Sequence, residues 1–113
     1  MRVLYDQIHG GLRHRVFQDG PHRKIVLGED ALQSYWGPFG GPSYFAEMTN
    51  AVPESAETVL LFGLAGGTIP RLLRDRGFQG HITAVEPSGP MRHIGYRFFQ
   101  TAKTCDVIVP TPP

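Results

Sequence analysis

The chain has 113 residues, a formal charge of +1 from 11 basic and 10 acidic side chains, and one cysteine. That length supports one small domain that buries roughly two thirds of its surface. The near-neutral balance argues against nucleic acid or an anionic membrane as partner. No apolar run approaches the ~20 residues of a membrane-spanning helix, and "MRVLYDQIHGG" lacks the apolar centre of a signal peptide. Cys105 has no internal partner, so the expected setting is reducing and cytoplasmic.

In chain order, "RVLYDQI", "LRHRVFQ" and "HRKIVLG" are three short strands, parted by Gly10-Gly11 and by Asp19-Gly20-Pro21. In the second, Leu12, His14, Val16 and Gln18 share one face, and Arg13, Arg15 and Phe17 the other. Period two between turn residues predicts an antiparallel meander. "SYWGPFGGPSY" follows as an ordered loop, since Pro38 and Pro42 forbid a helix and Tyr35, Trp36 and Phe39 are too apolar to lie in water. From Ser43, a candidate N-cap, the spacing of Phe45, Met48 and Ala51 predicts a helix.

Residue 57 opens a strand–helix–strand–helix–strand run. "TVLLFG" is a continuous apolar strand, expected to be covered on both faces. "TIPRLLRDRGF" is a helix with Pro70 in its first turn and Gly77 near its end. "HITAVE" is a strand, "GPMRHIGYRFF" a helix with Met91, Ile94 and Phe98 at helical spacing, and "DVIV" a strand stopped by "PTPP". The fold class is α/β: a short antiparallel meander (1–34), then a truncated Rossmann-like β-α-β-α-β unit (35–113), in one compact body.

Gly63, Gly66 and Gly67 sit where the first parallel strand becomes a helix. Glycine there permits positive φ and close approach of a ligand, and a helix N-terminus favours an anion. Glu86 ends the second parallel strand, where an acid can accept both hydrogens of a ribose diol. In "GLAGGT" Ala65 and Thr68 occupy the second and third glycine positions of the dinucleotide fingerprint, so a pyrophosphate grip is poorly supported. No Lys-Ser or Lys-Thr follows to make a Walker loop. A purely structural turn with a solvated Glu86 is the competing reading.

"VLLFGLAGGTIPRLL…ITAVEPSGPMRHIGYRFF", with "DALQS" and "PSYFAEM" upstream, resembles the spermidine synthase-like branch of the class I methyltransferase fold. The resemblance is collinear from about residue 3 to residue 100. It implies a site for S-adenosylmethionine or its decarboxylated form, with the Gly63–Gly67 turn (Gly63, Ala65, Gly66, Gly67) facing the methionine-derived part. Glu86 would hold the ribose hydroxyls, Gln33 would reach the same ligand, and Tyr44 would line the substrate side. The sequence ends at "DVIVPTPP", before counterparts of the family's adenine-side acid and catalytic aspartate, so no catalytic residue is carried over. The expected sheet order leaves "TVLLFG" as an edge, to be paired with a second copy in a dimer or covered by the meander.

The five histidines show no metal-ligand spacing and read as surface or strand residues. Arg71, Arg74, Asp75 and Arg76 read as a solvated helix face, Glu29 and Asp30 as solvated carboxylates, and Trp36 and Phe39 as core. Three hypotheses stand: an adenosyl-binding transferase-type domain, a non-catalytic scaffold that dimerises through its first parallel strand, and a fragment of a complete aminopropyl- or methyltransferase.

Overall fold

A computed structural model describes residues 1–37 and 43–110. Strands β1 (Arg2–His9), β2 (Leu12–Asp19), β3 (His22–Leu27) and β4 (Ala31–Trp36) form an antiparallel sheet in sequential order. Helix α1 (Ser43–Asn50) leads to β5 (Thr58–Phe62), α2 (Thr68–Asp75), β6 (His81–Val85), α3 (Gly89–Phe99), a 3-10 turn (Thr101–Lys103) and β7 (Asp106–Ile108). β5, β6 and β7 make a parallel sheet in that order. The expected α/β class, meander and β-α-β-α-β unit are all present.

The meander follows from the alternation in β2. His14 and Val16 are buried, and Val16 packs with Ile25 of β3 against Met91, Ile94 and Phe99 of α3. Burying such side chains contributes roughly 1.5–3 kcal/mol each. Arg23 reinforces the contact by donating from Nη1 to the Phe98 carbonyl. The second cluster joins Phe45, Leu64, Ile69, Leu73, Ile82, Ala84 and Cys105, clamping α1 and α2 onto the parallel sheet.

Four expectations are corrected. The meander has a fourth strand, so Ser34, Tyr35 and Trp36 are strand and not loop; Ser34 is buried opposite Ile25, and packing overrides the neighbouring Gly and Pro. Phe39 and the two prolines lie outside the described residues. In α1, Phe45 and Thr49 are buried while Met48 is exposed, so the inward face follows a spacing of four. β5 is not covered on both faces. A steady strand order with right-handed crossovers carries both connecting helices to one side. Val59 and Leu61 pack on that side, while Leu60 and Phe62 are 58% and 76% exposed on the other. The outer edge of β5 pairs with no described strand, so the meander does not cover it.

The cations of α2 are the fourth correction, because they are not a free solvated face. Arg71 stacks on Trp36 at 3.8 Å from the ring centroid. Arg74 donates to the carbonyls of Thr104, Phe78 and Gly80. Arg76 donates to those of Thr49 and Val52. These bonds tie α2 and its C-terminal end to carbonyls of the connecting segments and of the end of α1.

Candidate functional site

A cleft of about 830 Å³ opens between the inner face of the meander and the C-terminal ends of β5 and β6. That is within the range of small-molecule sites. It lies where ligands bind in open α/β sheets, beyond the carboxyl ends of the strands.

The turn after β5 forms one wall. Gly63 and Gly67 take φ of 85° and 78°, and Ala65 is left-handed as well at 49°. A non-glycine residue there is held against a cost of roughly 1–2 kcal/mol. Glu86 does the holding, for its buried carboxylate reaches back from the end of β6. Oε1 accepts from the N–H of Leu64 (3.0 Å) and Ala65 (2.9 Å), and Oε2 accepts from the N–H of Ser88 (3.1 Å). The Gly66 N–H donates to Ser34 Oγ at 2.7 Å. The N–H groups of Gly63 and Gly67 donate to the carbonyls of Val85 and Leu64. Every N–H from Gly63 to Gly67 therefore has a partner inside the chain, and the turn offers an incoming anion none of these donors.

The glycines have different reasons to be glycine. At Gly66 a Cβ would lie 2.9 Å from Ile25 Cδ1 and 2.9 Å from Ser34 Cβ, and at Gly67 it would lie 2.9 Å from Thr101 Cγ2. Both are packing requirements. At Gly63 a Cβ would meet nothing within 4 Å, and the residue lines the cleft. Gly63 is thus the glycine with open room for a ligand. Gly66 and Gly67 lie outside the cleft lining, behind the turn.

Gln33 lines the cleft because β4 is bulged. Ile25 pairs with Ser34 and Val26 with Leu32, leaving Gln33 as the extra residue. A bulge re-aims a side chain in this way. Tyr44 lines the cleft from α1, 46% exposed and in ring contact with Phe45 at 4.3 Å. Gln33, Tyr44, Gly63, Ala65 and Glu86 are thus brought to one cavity.

The lining contains no Lys or Arg, and Glu86 supplies its only carboxylate among the described residues. Oε2 accepts one bond and keeps acceptor capacity for another. Most of the rest is apolar: Leu12, Leu27, Leu32, Phe45, Leu61 and Phe62. No group of three or more metal-ligating side chains occurs among the described residues, and none of their helices is long and apolar enough to cross a membrane. Sequence reasoning missed the meander's part in the cleft. His14 is a strand histidine, as one half of the expectation had it, and within its strand it is a buried lining residue, 5% exposed. The signal was present, since Leu12, His14 and Val16 share the strand face that turns inward.

No protein-family model matches the sequence, and no curated protein matches it. Solved structures do. A spermidine synthase in complex with the transition-state analogue AdoDATO superposes with a TM-score of 0.68 at 14% identity, over 96% of this chain and 40% of its own. The spermidine synthase of Thermotoga maritima gives 0.68 at 14%, over 97% and 42%. A probable spermidine synthase of Corynebacterium glutamicum ATCC 13032 gives 0.73 at 13%, over 98% and 46%. The chain thus spans less than half the length of these proteins, and its meander, turn and parallel strands have the fold of the N-terminal part of spermidine synthases.

Proposed function

We propose that the chain binds an adenosyl thioether or sulfonium ligand in this cleft, decarboxylated S-adenosylmethionine in preference to S-adenosylmethionine, as the nucleoside-binding part of a transferase-type fold. The observation that carries the reading is the buried Glu86 carboxylate, fixed on the glycine turn with acceptor capacity left on Oε2, in a cleft whose described lining holds no Lys or Arg. A carboxylate so placed accepts from ribose hydroxyls. The aromatic rings of Tyr44, Phe45 and Phe62 suit an adenine plane or a sulfonium. A phosphate or amino-acid carboxylate finds no Lys, no Arg and no free N–H in the turn. That favours the decarboxylated ligand. The AdoDATO complex of a similarly folded spermidine synthase points the same way. The reading assigns nucleoside binding to this chain. The one cysteine, free and buried, fits a reducing cytoplasmic setting.

Isothermal titration tests this with decarboxylated S-adenosylmethionine, S-adenosylmethionine, 5′-methylthioadenosine and ADP. The expected order places the decarboxylated and methylthio ligands first and ADP last. Equal or tighter binding of ADP refutes the reading.

A second reading has its own support. The outer edge of β5 is unpaired, and Leu60 and Phe62 beside it are exposed. Edges of this kind invite strand pairing, so the chain acts as a scaffold that dimerises through β5. Sedimentation separates the two readings, because nucleoside binding by a strict monomer leaves only the first.

A further inference from the structure

One titratable side chain in the cleft has no part in the reading above. His14 projects from β2, is 5% exposed, and lines the cleft beside Leu12, Leu27 and Ser34. Its Nδ1 lies 2.8 Å from the Leu12 carbonyl oxygen. A carbonyl only accepts, so Nδ1 carries the proton, and in the neutral ring Nε2 is an acceptor. The ring is held from a second side. His9 meets it edge to face at 5.0 Å, and His9 Nε2 is itself hydrogen-bonded to the Tyr5 hydroxyl at 2.7 Å. Nε2 of His14 makes no hydrogen bond among the described residues. A clamped imidazole, nine-tenths buried and with its acceptor nitrogen uncommitted, is thus built into the meander wall.

We propose that His14 is a ligand-binding residue whose Nε2 accepts a hydrogen bond from an N–H donor at the end of a short alkyl arm, that is, a primary alkylammonium. This rests on the cleft being the ligand site proposed above. Three features select the chemistry. The acceptor needs a donor. Among the described residues the only formal charge in the lining is the Glu86 carboxylate, which favours a cation over an anion. His14 pairs across the strands with Leu27 and shares the cleft with Leu12 and Leu32, which suits methylenes. His14 is therefore the residue that distinguishes an amine-tailed ligand from the same nucleoside with an apolar tail.

The experiment compares 5′-deoxy-5′-(3-aminopropylthio)adenosine with its propylthio and 3-hydroxypropylthio counterparts by titration calorimetry. Wild type is expected to prefer the amine over the propyl arm by about tenfold, the worth of one hydrogen bond to a charged group. His14→Asn keeps a donor to the Leu12 carbonyl at the Nδ1 position, and its readout is the ratio of amine to propylthio affinity within the same variant, expected to fall from about tenfold to near one. His14→Gln, which returns an oxygen near the Nε2 position, is expected to recover part of it. An amine preference that survives His14→Asn, or equal binding of the amine and propyl ligands by wild type, overturns the proposal. A hydroxyl arm that binds as tightly as the amine overturns the assignment to ammonium. Failure of all three nucleosides refutes the adenosyl reading instead. The His14 Nε2 resonance is then followed by ¹⁵N NMR during titration with n-propylammonium chloride. A saturable shift absent with propanol sustains the role of His14, and no shift removes it.

Discussion

Replacing Glu86 by alanine is the obvious way to test a ribose-binding acid, and the structure predicts that it unfolds the site first. Its carboxylate accepts three backbone N–H groups, from Leu64, Ala65 and Ser88. Leu64 is buried, and Ala65 and Ser88 are half-buried. Each orphaned donor costs roughly 1–3 kcal/mol, the lower end applying where water enters the vacated space. Ala65 also loses the bond that opposes its left-handed conformation. The total for Glu86→Ala is about 3–5 kcal/mol, a large part of the 5–15 kcal/mol available to a domain. For a chain of this size that is a fall in Tm on the order of 15 °C. Glu86→Gln retains one acceptor oxygen for the turn but presents an amide N–H₂ to the Ser88 N–H. Its cost is about 1–3 kcal/mol and a fall of roughly 5–10 °C. Thermal melts by circular dichroism, with calorimetric confirmation of a two-state transition, read both. A Glu86→Ala protein that melts within about 2 °C of wild type refutes the carboxylate as the staple of the turn.

The glycines of the turn separate packing from binding. Gly66→Ala forces a methyl against Ile25 and Ser34, which costs roughly 1–3 kcal/mol in stability and leaves the intrinsic affinity of the folded protein for methylthioadenosine unchanged. Gly63→Ala meets no atom but must hold φ near 85°. It costs about 1–2 kcal/mol and, by filling the open side of the turn, weakens that ligand several-fold; calorimetry showing the reverse pattern overturns the assignment. Leu60→Lys places a charge on the exposed face of β5. Sedimentation is expected to show dimers of wild type dissociated, with Tm nearly unchanged because the side chain is 58% exposed, and a wild type monomeric at every concentration refutes edge pairing. Burial pushes the Cys105 thiol above its ordinary 9.0, with the Thr104 hydroxyl opposing the shift. Its contribution to stability is therefore intact below the unfolded thiol's range and is lost as pH rises through it. Urea midpoints at pH 8 and pH 10 should fall further in wild type than in Cys105→Ala, and equal slopes refute the shift.

Much of the fold was legible because it rests on local patterning. The alternation in "LRHRVFQ" put His14 and Val16 on one face, and the strand–turn–helix at Gly63 placed one wall of the cleft. What the sequence concealed was decided by non-local partners. Ser34 to Trp36 read as loop beside Gly and Pro, yet the cross-strand pairing of Ser34 with Ile25 and the stacking of Arg71 on Trp36 draw them into β4. "TVLLF" read as doubly covered because an apolar run carries no mark of which face lacks a helix. The arginines of α2 read as solvated because their acceptors are backbone carbonyls 4 to 30 residues away, with no sequence signature. In the site, Glu86 followed from its place at the end of the second parallel strand, and Gln33 and Tyr44 from the resemblance. The bulge that frees Gln33 did not, since one extra residue in β4 is visible only against its partner strand.

The fate of the turn's N–H groups decides what kind of ligand the cleft takes. A glycine turn at a helix N-terminus is ordinarily an anion site, because free donors and the helix dipole converge there. Here a left-handed Ala65 makes the turn depend on Glu86, and the same carboxylate neutralises the dipole and occupies two of the donors. Ser34 takes a third from the meander side. The charged and aromatic-nitrogen acceptors that remain in the cleft are Glu86 Oε2 on the sheet wall and His14 Nε2 on the meander wall, while the Gln33 amide and the Tyr44 hydroxyl can both donate and accept. A cleft whose described lining carries one carboxylate and no Lys or Arg, around an apolar middle, favours hydroxyls and ammonium groups joined by rings and methylenes over phosphates. The chemistry of the ligand is therefore set less by the glycines than by the acid that immobilises them.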